Sequence, residues 1–184
     1  MLNNKGELKI ADFGLSRFLK ARTKPLTVRV VTLIYRAPEL LLGQKDYTSK
    51  VDVWSFGCIL AELYLGEPLF LGAQNRNHMT ELIVSRLGSP DESEWPELKE
   101  LPYYNELYPK KQYQPTLRNF FFKKKVNIDK HGMDLIERCL TLNPAKRLSA
   151  YEALNHKYFS EPPHACEVSE IPKIEKECHE YNIR

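Results

Sequence analysis

Residues 49–65 read SKVDVWSFGCILAELYL, a run that is apolar on nearly every side of a helical projection. Ser49 or Thr48 supplies a cap at its start, and Gly66 with Pro68 stops it. A helix with so little polar surface belongs at the centre of a domain. Working outward, Asn75 opens an amphipathic segment in which Met79, Leu82, Ile83 and Leu87 share a face, ended by Gly88 and Pro90. Met133, Leu135, Ile136, Cys139 and Leu140 mark a further amphipathic helix, and Ser149 with Glu152 has the capping-box spacing that opens a last one. Upstream, Leu8, Ile10 and Phe13 follow the turn-forming Asn3-Asn4-Lys5-Gly6, which predicts one small β-hairpin. The stretch of about 89–125 is rich in Pro, Tyr, Lys and Glu with weak periodicity, and reads as an irregular insert with one short helix near Trp95. Past Phe159, Pro162-Pro163 and a polar run to Arg184 read as a tail that drapes over the domain or stays mobile. The expectation is a mainly α domain with four helices after one hairpin.

Composition bounds the function. A length of 184 residues, 42% of them hydrophobic, suits one compact domain. The 27 Lys+Arg against 24 Asp+Glu leave a net charge of +3, which calls for neither nucleic acid nor an acidic membrane. Lys110, Lys111, Arg118 and Lys123 to Lys125, interleaved with Tyr108, Tyr113 and Phe120 to Phe122, have the look of a single-strand binding surface, but the charge is too low and no direct nucleic-acid partner is expected. Cys58, Cys139, Cys166 and Cys178 form no C-x-x-C pair, so free thiols in a reducing compartment are expected. The absence of any long apolar run predicts a soluble intracellular protein with no membrane partner.

Asp12-Phe13-Gly14 directly follows the expected strand, and Ala37-Pro38-Glu39 closes the loop after it. Asp52-Val53-Trp54-Ser55-Phe56-Gly57 and then Arg147 before a capped helix complete an ordered set. Together these resemble the signature triplets of the eukaryotic protein kinases. The resemblance implies a kinase-like large (C-terminal) lobe over residues 1–159, a helical bundle with a small N-terminal hairpin and no small lobe, followed by a tail at 160–184. It also implies an activation segment at 12–39. In that family Asp12 would hold Mg²⁺ bridging the phosphates of ATP, against the plainer reading of a turn acid, and Gly14 would let the chain turn where a Cβ would obstruct it. Glu39 and Arg147 resemble a buried structural ion pair. Asp52 resembles the acid that accepts backbone N–H bonds from the catalytic loop, and Thr32 the threonine that supports the catalytic carboxylate.

Within the family, Leu15-Ser16-Arg17 and Pro25 through Arg36 resemble the activation loop of cyclin-dependent kinases. By that resemblance Thr27 is the activating phosphorylation position, where a phosphate of roughly −1.5 to −2 charges would be ordered by an arginine cluster including Arg17. The alternative is a solvated loop threonine. Val30 and Arg36 would shape the pocket that accepts proline after the target Ser or Thr. Ile34 departs from the family, which generally has tryptophan there, so different packing beneath that platform is expected. No Thr-x-Tyr pair lies between Gly14 and Ala37, which argues against the mitogen-activated branch. Ser85 to Pro90, Leu101 to Asn105, Pro109 to Tyr113 and Cys178-His179-Glu180 resemble the transcriptional kinases that act on the C-terminal repeats of RNA polymerase II. That likeness implies a cyclin partner, ATP and Mg²⁺ in the full-length form, Ser/Thr-Pro protein substrates, and a nuclear location with the cytoplasm as the alternative. His179 and Glu180 would then touch bound ATP, unless the tail is simply disordered.

The glycine-rich loop, the phosphate-positioning lysine and glutamate, and the catalytic loop all precede Asp12 in kinases, yet eleven residues precede it here. Met1-Leu2-Asn3-Asn4 looks like the continuation after a catalytic-loop asparagine. The chain thus reads as an incomplete kinase, with no catalytic base of its own and inactive alone. The rival reading is a non-catalytic module that binds substrates or regulators through the platform around Val30 and Arg36.

Overall fold

The computed structural model describes residues 8–16 and 32–171. Arg17, Thr27, Val30, His179 and Glu180, and with them the expected phosphosite, half of the proline pocket and the nucleotide-touching tail, lie outside the described residues. Among the described residues the chain is helical. In order come α1 (Pro38–Leu41), α2 (Lys50–Leu65), α3 (Arg76–Leu87), α4 (Tyr104–Leu107), α5 (Leu117–Lys123), α6 (Lys130–Cys139) and α7 (Ala150–Leu154), with short 3-10 turns between.

The expected hairpin is not completed among these residues. Leu8 holds an isolated bridge, and Leu8, Ile10 and Phe13 are all exposed. The rest of the expected hairpin, residues 1–7, lies outside the described residues.

Helix α2 organises the domain as its sequence demands, with one difference. Val51, Val53, Trp54, Gly57, Cys58, Leu60 and Ala61 are buried, whereas Phe56, Ile59 and Leu63 remain exposed along one face. Burial is therefore one-sided rather than all-round. The first turn is tied by Lys50 N–H donating to Thr48 Oγ1, at 3.3 Å, not by the Ser49 side chain. The last turn closes with Gly66 at φ 73°, its N–H donating to Glu62 O at 2.8 Å. Such a left-handed closing residue is the reason for glycine there.

Gly57 sets the spacing of α2 against α6. A Cβ at Gly57 would stand 2.7 Å from Cys139 Cβ and 3.0 Å from Leu140 Cδ2, so the two helices meet backbone to side chain at that point. Around this contact Trp54 stacks parallel to Phe70 at 6.2 Å, and Leu135, Ile136 and Leu140 are fully buried.

Helices α3 and α7 begin at the caps their sequences predict, and α6 at a cap, Asp129, that its apolar pattern does not name. Asn75 Oδ1 accepts from His78 N–H at 3.0 Å, Asp129 Oδ1 accepts from His131 and Gly132 N–H, and Ser149 with Glu152 closes a reciprocal capping box. These are caps of the kind that typically stabilise a helix by ~1 kcal/mol.

The insert is more ordered than its composition suggests. Residues 89–125 carry a 3-10 turn at Pro96–Glu100 together with α4 and α5, and Trp95, Leu98, Leu107, Leu117 and Phe121 are buried anchors. Helices of four to seven residues span at most two turns, too few for a 3.6-residue pattern to declare itself. Tyr113 and Ser89 exchange backbone contact through Ser89 N–H to Tyr113 O, at 2.9 Å, and Thr116 N–H donates to Arg86 O at 2.8 Å, which stitches the insert to the end of α3. No helix of the described residues is long and apolar enough to cross a membrane.

Candidate functional site

Residues 32–39 form the described part of the predicted platform, held by α2 at Tyr35 and by Arg147 at Glu39. Thr32 precedes a 3-10 turn at Leu33–Tyr35, whose closure is Tyr35 N–H to Thr32 O at 3.0 Å and Arg36 N–H to Leu33 O at 3.2 Å. Tyr35 Oη donates to Glu62 Oε2 at 2.8 Å, and Ser55 Oγ donates to Tyr35 O at 2.9 Å. Ser55 and Glu62 are seven residues apart and so share one face of α2, which presents two hooks for the same tyrosine. The hydrogen bond to the Glu62 carboxylate, with burial and that negative charge, raises the Tyr35 pKa. Reading the motifs alone missed both contacts. The only signal was the helical spacing of two polar residues on an otherwise apolar segment.

Arg36 follows at once, half-buried, and burial followed by the nearby Arg76 cation lowers its pKa. Arg76 itself lies over the Tyr103 ring at 5.3 Å, and Tyr103 N–H donates to Leu42 O at 3.0 Å. A Cβ on Gly43, whose φ is 89°, would stand 2.6 Å from the Tyr103 ring, so the turn after α1 needs glycine on two counts. The insert thereby braces the turn after α1.

Beneath it lies a buried ion pair. Arg147 Nη1 and Nη2 donate to Glu39 Oε1 and Oε2, each at 2.8 Å, and both side chains are almost wholly excluded from solvent. The other guanidinium protons go to Lys50 O at 2.8 Å, Leu142 O at 3.2 Å and, from Nε, Thr141 O at 2.9 Å. All five N–H donors of the guanidinium are therefore satisfied. Arg147 Cζ also lies 5.1 Å from the Trp54 ring centroid. One side chain thus joins α1, the start of α2 and the turn after α6.

Asp12 and Asp52 stand apart from this cluster. Asp12 is exposed, with a left-handed backbone at φ 62°, and caps no N–H with its side chain. The positive φ in this turn belongs to Asp12, and among the described residues a Cβ at Gly14 would stand 3.4 Å from Asp12 Oδ1. Backbone strain at a non-glycine residue is uncommon and clusters at functional sites. Among the described residues no group of three or more His, Cys, Asp or Glu could hold a metal ion. Asp12 is thus a single carboxylate, fit to contribute one of the six oxygen ligands that Mg²⁺ requires and no more. Asp52, in the first turn of α2, makes no side-chain hydrogen bond to the described residues, and partial burial raises its pKa.

The protein kinase domain family matches residues 1–159. The chain belongs to the protein kinase family. Its kinase fold is that of the large lobe. Similar proteins are the Oryza sativa subsp. japonica cyclin-dependent kinase C-1, 42% identical over all of this chain and 34% of that protein, and the Caenorhabditis elegans cyclin-dependent kinase 12, 44% identical over 98% of this chain and 24% of that protein. Among solved structures, the yeast RNA Pol II CTD kinase CTDK-1 complex superposes with a TM-score of 0.81 at 37% identity, covering 89% of this chain and 53% of the other. The CAK complex from Chaetomium thermophilum bound to ATP-gamma-S gives 0.83 at 32% identity, covering 94% and 53%. The chain spans about a third or less of these curated relatives and about half of the solved kinase chains.

Proposed function

We propose that this chain is the substrate-bearing large lobe of a cyclin-dependent Ser/Thr protein kinase whose complete form phosphorylates Ser-Pro and Thr-Pro sites. The observation that carries the reading is the platform itself. Thr32 to Glu39 is held at one end by the Tyr35–Glu62 and Ser55–Tyr35 bonds and at the other by the Glu39–Arg147 ion pair, so a peptide docking there meets a fixed surface. Kinase catalysis is largely positioning and charge stabilisation, and a rigid platform supplies the positioning half. The likeness to cyclin-dependent kinases supports a cyclin partner, and the likeness to a CTD kinase supports the RNA polymerase II repeats as substrate and the nucleus as the place of action.

In the complete enzyme ATP with Mg²⁺ supplies the phosphoryl group and neutralises its charge. Asp12 offers the metal one carboxylate, Thr32 lines the path to the target hydroxyl, and Arg36 borders the position of the following proline. With a single metal carboxylate and no base, this chain alone turns over no ATP.

The test uses two proteins. The 184-residue chain, incubated with Mg²⁺, ATP and a Ser-Pro peptide, gives no phosphopeptide above background. A kinase domain completed with the portion that precedes this match in the relatives, joined to a cyclin, phosphorylates the Ser-Pro peptide and spares the Ser-Ala one. Equal use of the two peptides would overturn proline direction, and phosphorylation by the short chain that is lost on Asp12→Asn would overturn its inactivity.

A further inference from the structure

A cavity of about 540 Å³ lies between the end of α3, the insert and the link from α6 to α7. No residue of α2 lines it, so it stands apart from the exposed face of that helix. Its near wall is fixed by hydrogen bonds: Ser89 N–H donates to Tyr113 O at 2.9 Å, Tyr113 N–H donates to Ser89 Oγ at 3.1 Å, and Thr116 Oγ1 donates to Ser85 O at 2.7 Å. At Gly88, where φ is 87°, a Cβ would stand 3.1 Å from Pro115 Cδ, so the two segments meet with no side chain between them. The far wall is tied in the same way, Asn143 Nδ2 donating to Glu94 O at 2.7 Å and Lys146 Nζ to Ser93 O at 3.1 Å. A site framed like this is formed before any ligand arrives.

Arg86, on the lining, carries a charge that the described residues do not answer with an acid. Its Nε is shut off from solvent with no hydrogen-bond partner, and the guanidinium enters none of their salt bridges. The Phe120 ring centroid lies 4.1 Å from Cζ and offsets part of the charge, yet it leaves the Nε–H without a conventional acceptor. Burial lowers the Arg86 pKa, the direction expected of a cation short of hydration. Arg147 is the contrast, a deeper guanidinium with every donor used. Cations withdrawn from water are as a rule paired.

The other charged groups of the cavity leave it positive. Arg118 engages Glu137 through two bonds, at 2.7 and 2.6 Å, and neutralises that acid. Arg86 and Lys146 then share the lining with one remaining carboxylate, Glu94. The volume is far more than a bare anion fills and suits a short stretch of peptide. Main-chain partners for such a stretch are present. Tyr113 N–H and C=O are both taken by Ser89, whereas those of Gln112 and Gln114, also on the lining, make no hydrogen bond among the described residues. Free backbone groups along one segment are what a sheet edge offers an extended peptide.

We propose that this cavity binds a short acidic segment of a partner protein, one carboxylate side chain of that segment accepting from Arg86 while its main chain pairs with Gln112 and Gln114. This goes beyond the catalytic reading and does not depend on it.

The experiment is a nuclear magnetic resonance titration of the full 184-residue chain, labelled with nitrogen-15, using as probe a blocked alanine peptide with one central glutamate. The expected result is a saturable shift of the Arg86 Nε–H signal and of the Ser89, Gln114 and Thr141 amides. Binding should weaken at least tenfold for the same peptide with glutamine and, separately, for Arg86→Leu, with part of it kept in Arg86→Lys. The comparison of the two peptides uses the unaltered chain, so it decides the matter even where a variant fails to fold by circular dichroism. The proposal is overturned by no saturable response, by equal binding of the two peptides, by undiminished binding to a folded Arg86→Leu chain, or by shifts confined to the Lys123 to Lys125 surface. Inorganic phosphate bound as tightly as the glutamate peptide would overturn the peptide assignment in favour of a bare anion. A response lost in the kinase domain completed with the preceding portion would overturn it as well, since the cavity would then be filled from within the enzyme.

Discussion

Removing the Glu39 carboxylate should cost the fold about as much as a single substitution can. Glu39→Ala leaves a guanidinium that is nearly wholly buried, with its donors to Lys50, Leu142 and Thr141 carbonyls intact but the two aimed at Glu39 orphaned. Breaking one partner of a buried pair costs about 3–5 kcal/mol because the remaining charge stays out of water. Arg147→Ala should cost more. It strands the Glu39 carboxylate, removes a donor from each of three backbone carbonyls and opens a void against Trp54. Each buried acceptor left bare adds ~1–3 kcal/mol. Against a total stability of about 5–15 kcal/mol for a domain, either change removes a large share. The decisive comparison is the double replacement Glu39→Leu with Arg147→Met, which removes the charges together and fills the space with apolar side chains. Because a desolvated pair gives back in attraction little more than it loses in hydration, the double variant should recover most of the loss of the worse single variant. Urea titrations followed by tryptophan fluorescence give the four stabilities, Trp54 lying beside the site. A loss under about 1 kcal/mol for Glu39→Ala, or a double variant no more stable than Arg147→Ala, would refute the reasoning that these charges are held against their solvation.

Two further outcomes test the packing and the electrostatics of α2. Gly57→Ala should destabilise by about 1–3 kcal/mol despite the better helix propensity of alanine, because the new methyl meets the backbone-anchored Cβ of Cys139 and can be relieved only by moving α6; a stability equal to wild type would show that the two helices have room to part. Asp52→Asn should raise the melting temperature at neutral pH. Partial burial lifts the pKa of Asp52 in the fold above its unfolded value, so the folded state binds the proton more tightly and stability falls as pH rises through that window. The gain from asparagine is then complete above the raised pKa and vanishes by about pH 3, where the aspartate is protonated in both states. A gain that persists unchanged in acid would mean that charge is not its cause.

How far the sequence reveals this molecule depends on the range of the interaction that makes each part. Helices α2, α3, α6 and α7 are legible because each is announced within a few residues, by Thr48 and Gly66, by Asn75 and Gly88, by the apolar face from Met133 to Leu140, and by the Ser149–Glu152 box. Helices α4 and α5 are not, since their order comes from Leu107, Leu117 and Phe121 packing on distant elements, and nothing local in four to seven residues encodes it. The same divide runs through the site. Asp12, Glu39, Asp52 and Arg147 stand out by motif, yet the motif says nothing of the five-donor arrangement by which Arg147 ties its own turn to Glu39 and Lys50, 108 and 97 residues away in sequence. Tyr35 and Glu62 carry no motif reading as a pair, but their bond holds the platform that the motifs only name.

The one-sided burial of α2 follows from the same logic. Its sequence asks for apolar neighbours on every side, and the described fold supplies them for Trp54, Leu60 and Ala61 but not for Phe56, Ile59 and Leu63. A sequence pattern records the burial a segment requires in its working assembly, whereas exposure records what this one chain provides. Where the two disagree over three turns of helix, the difference is itself a measure of surface awaiting a partner. Asp52, at the end of that stripe, is exposed and takes no hydrogen bond from the described residues, and desolvation by its surroundings raises its pKa. The uncovered apolar stripe and the acid at its end thus lie together along α2, where the sequence asks for neighbours that the described residues do not supply.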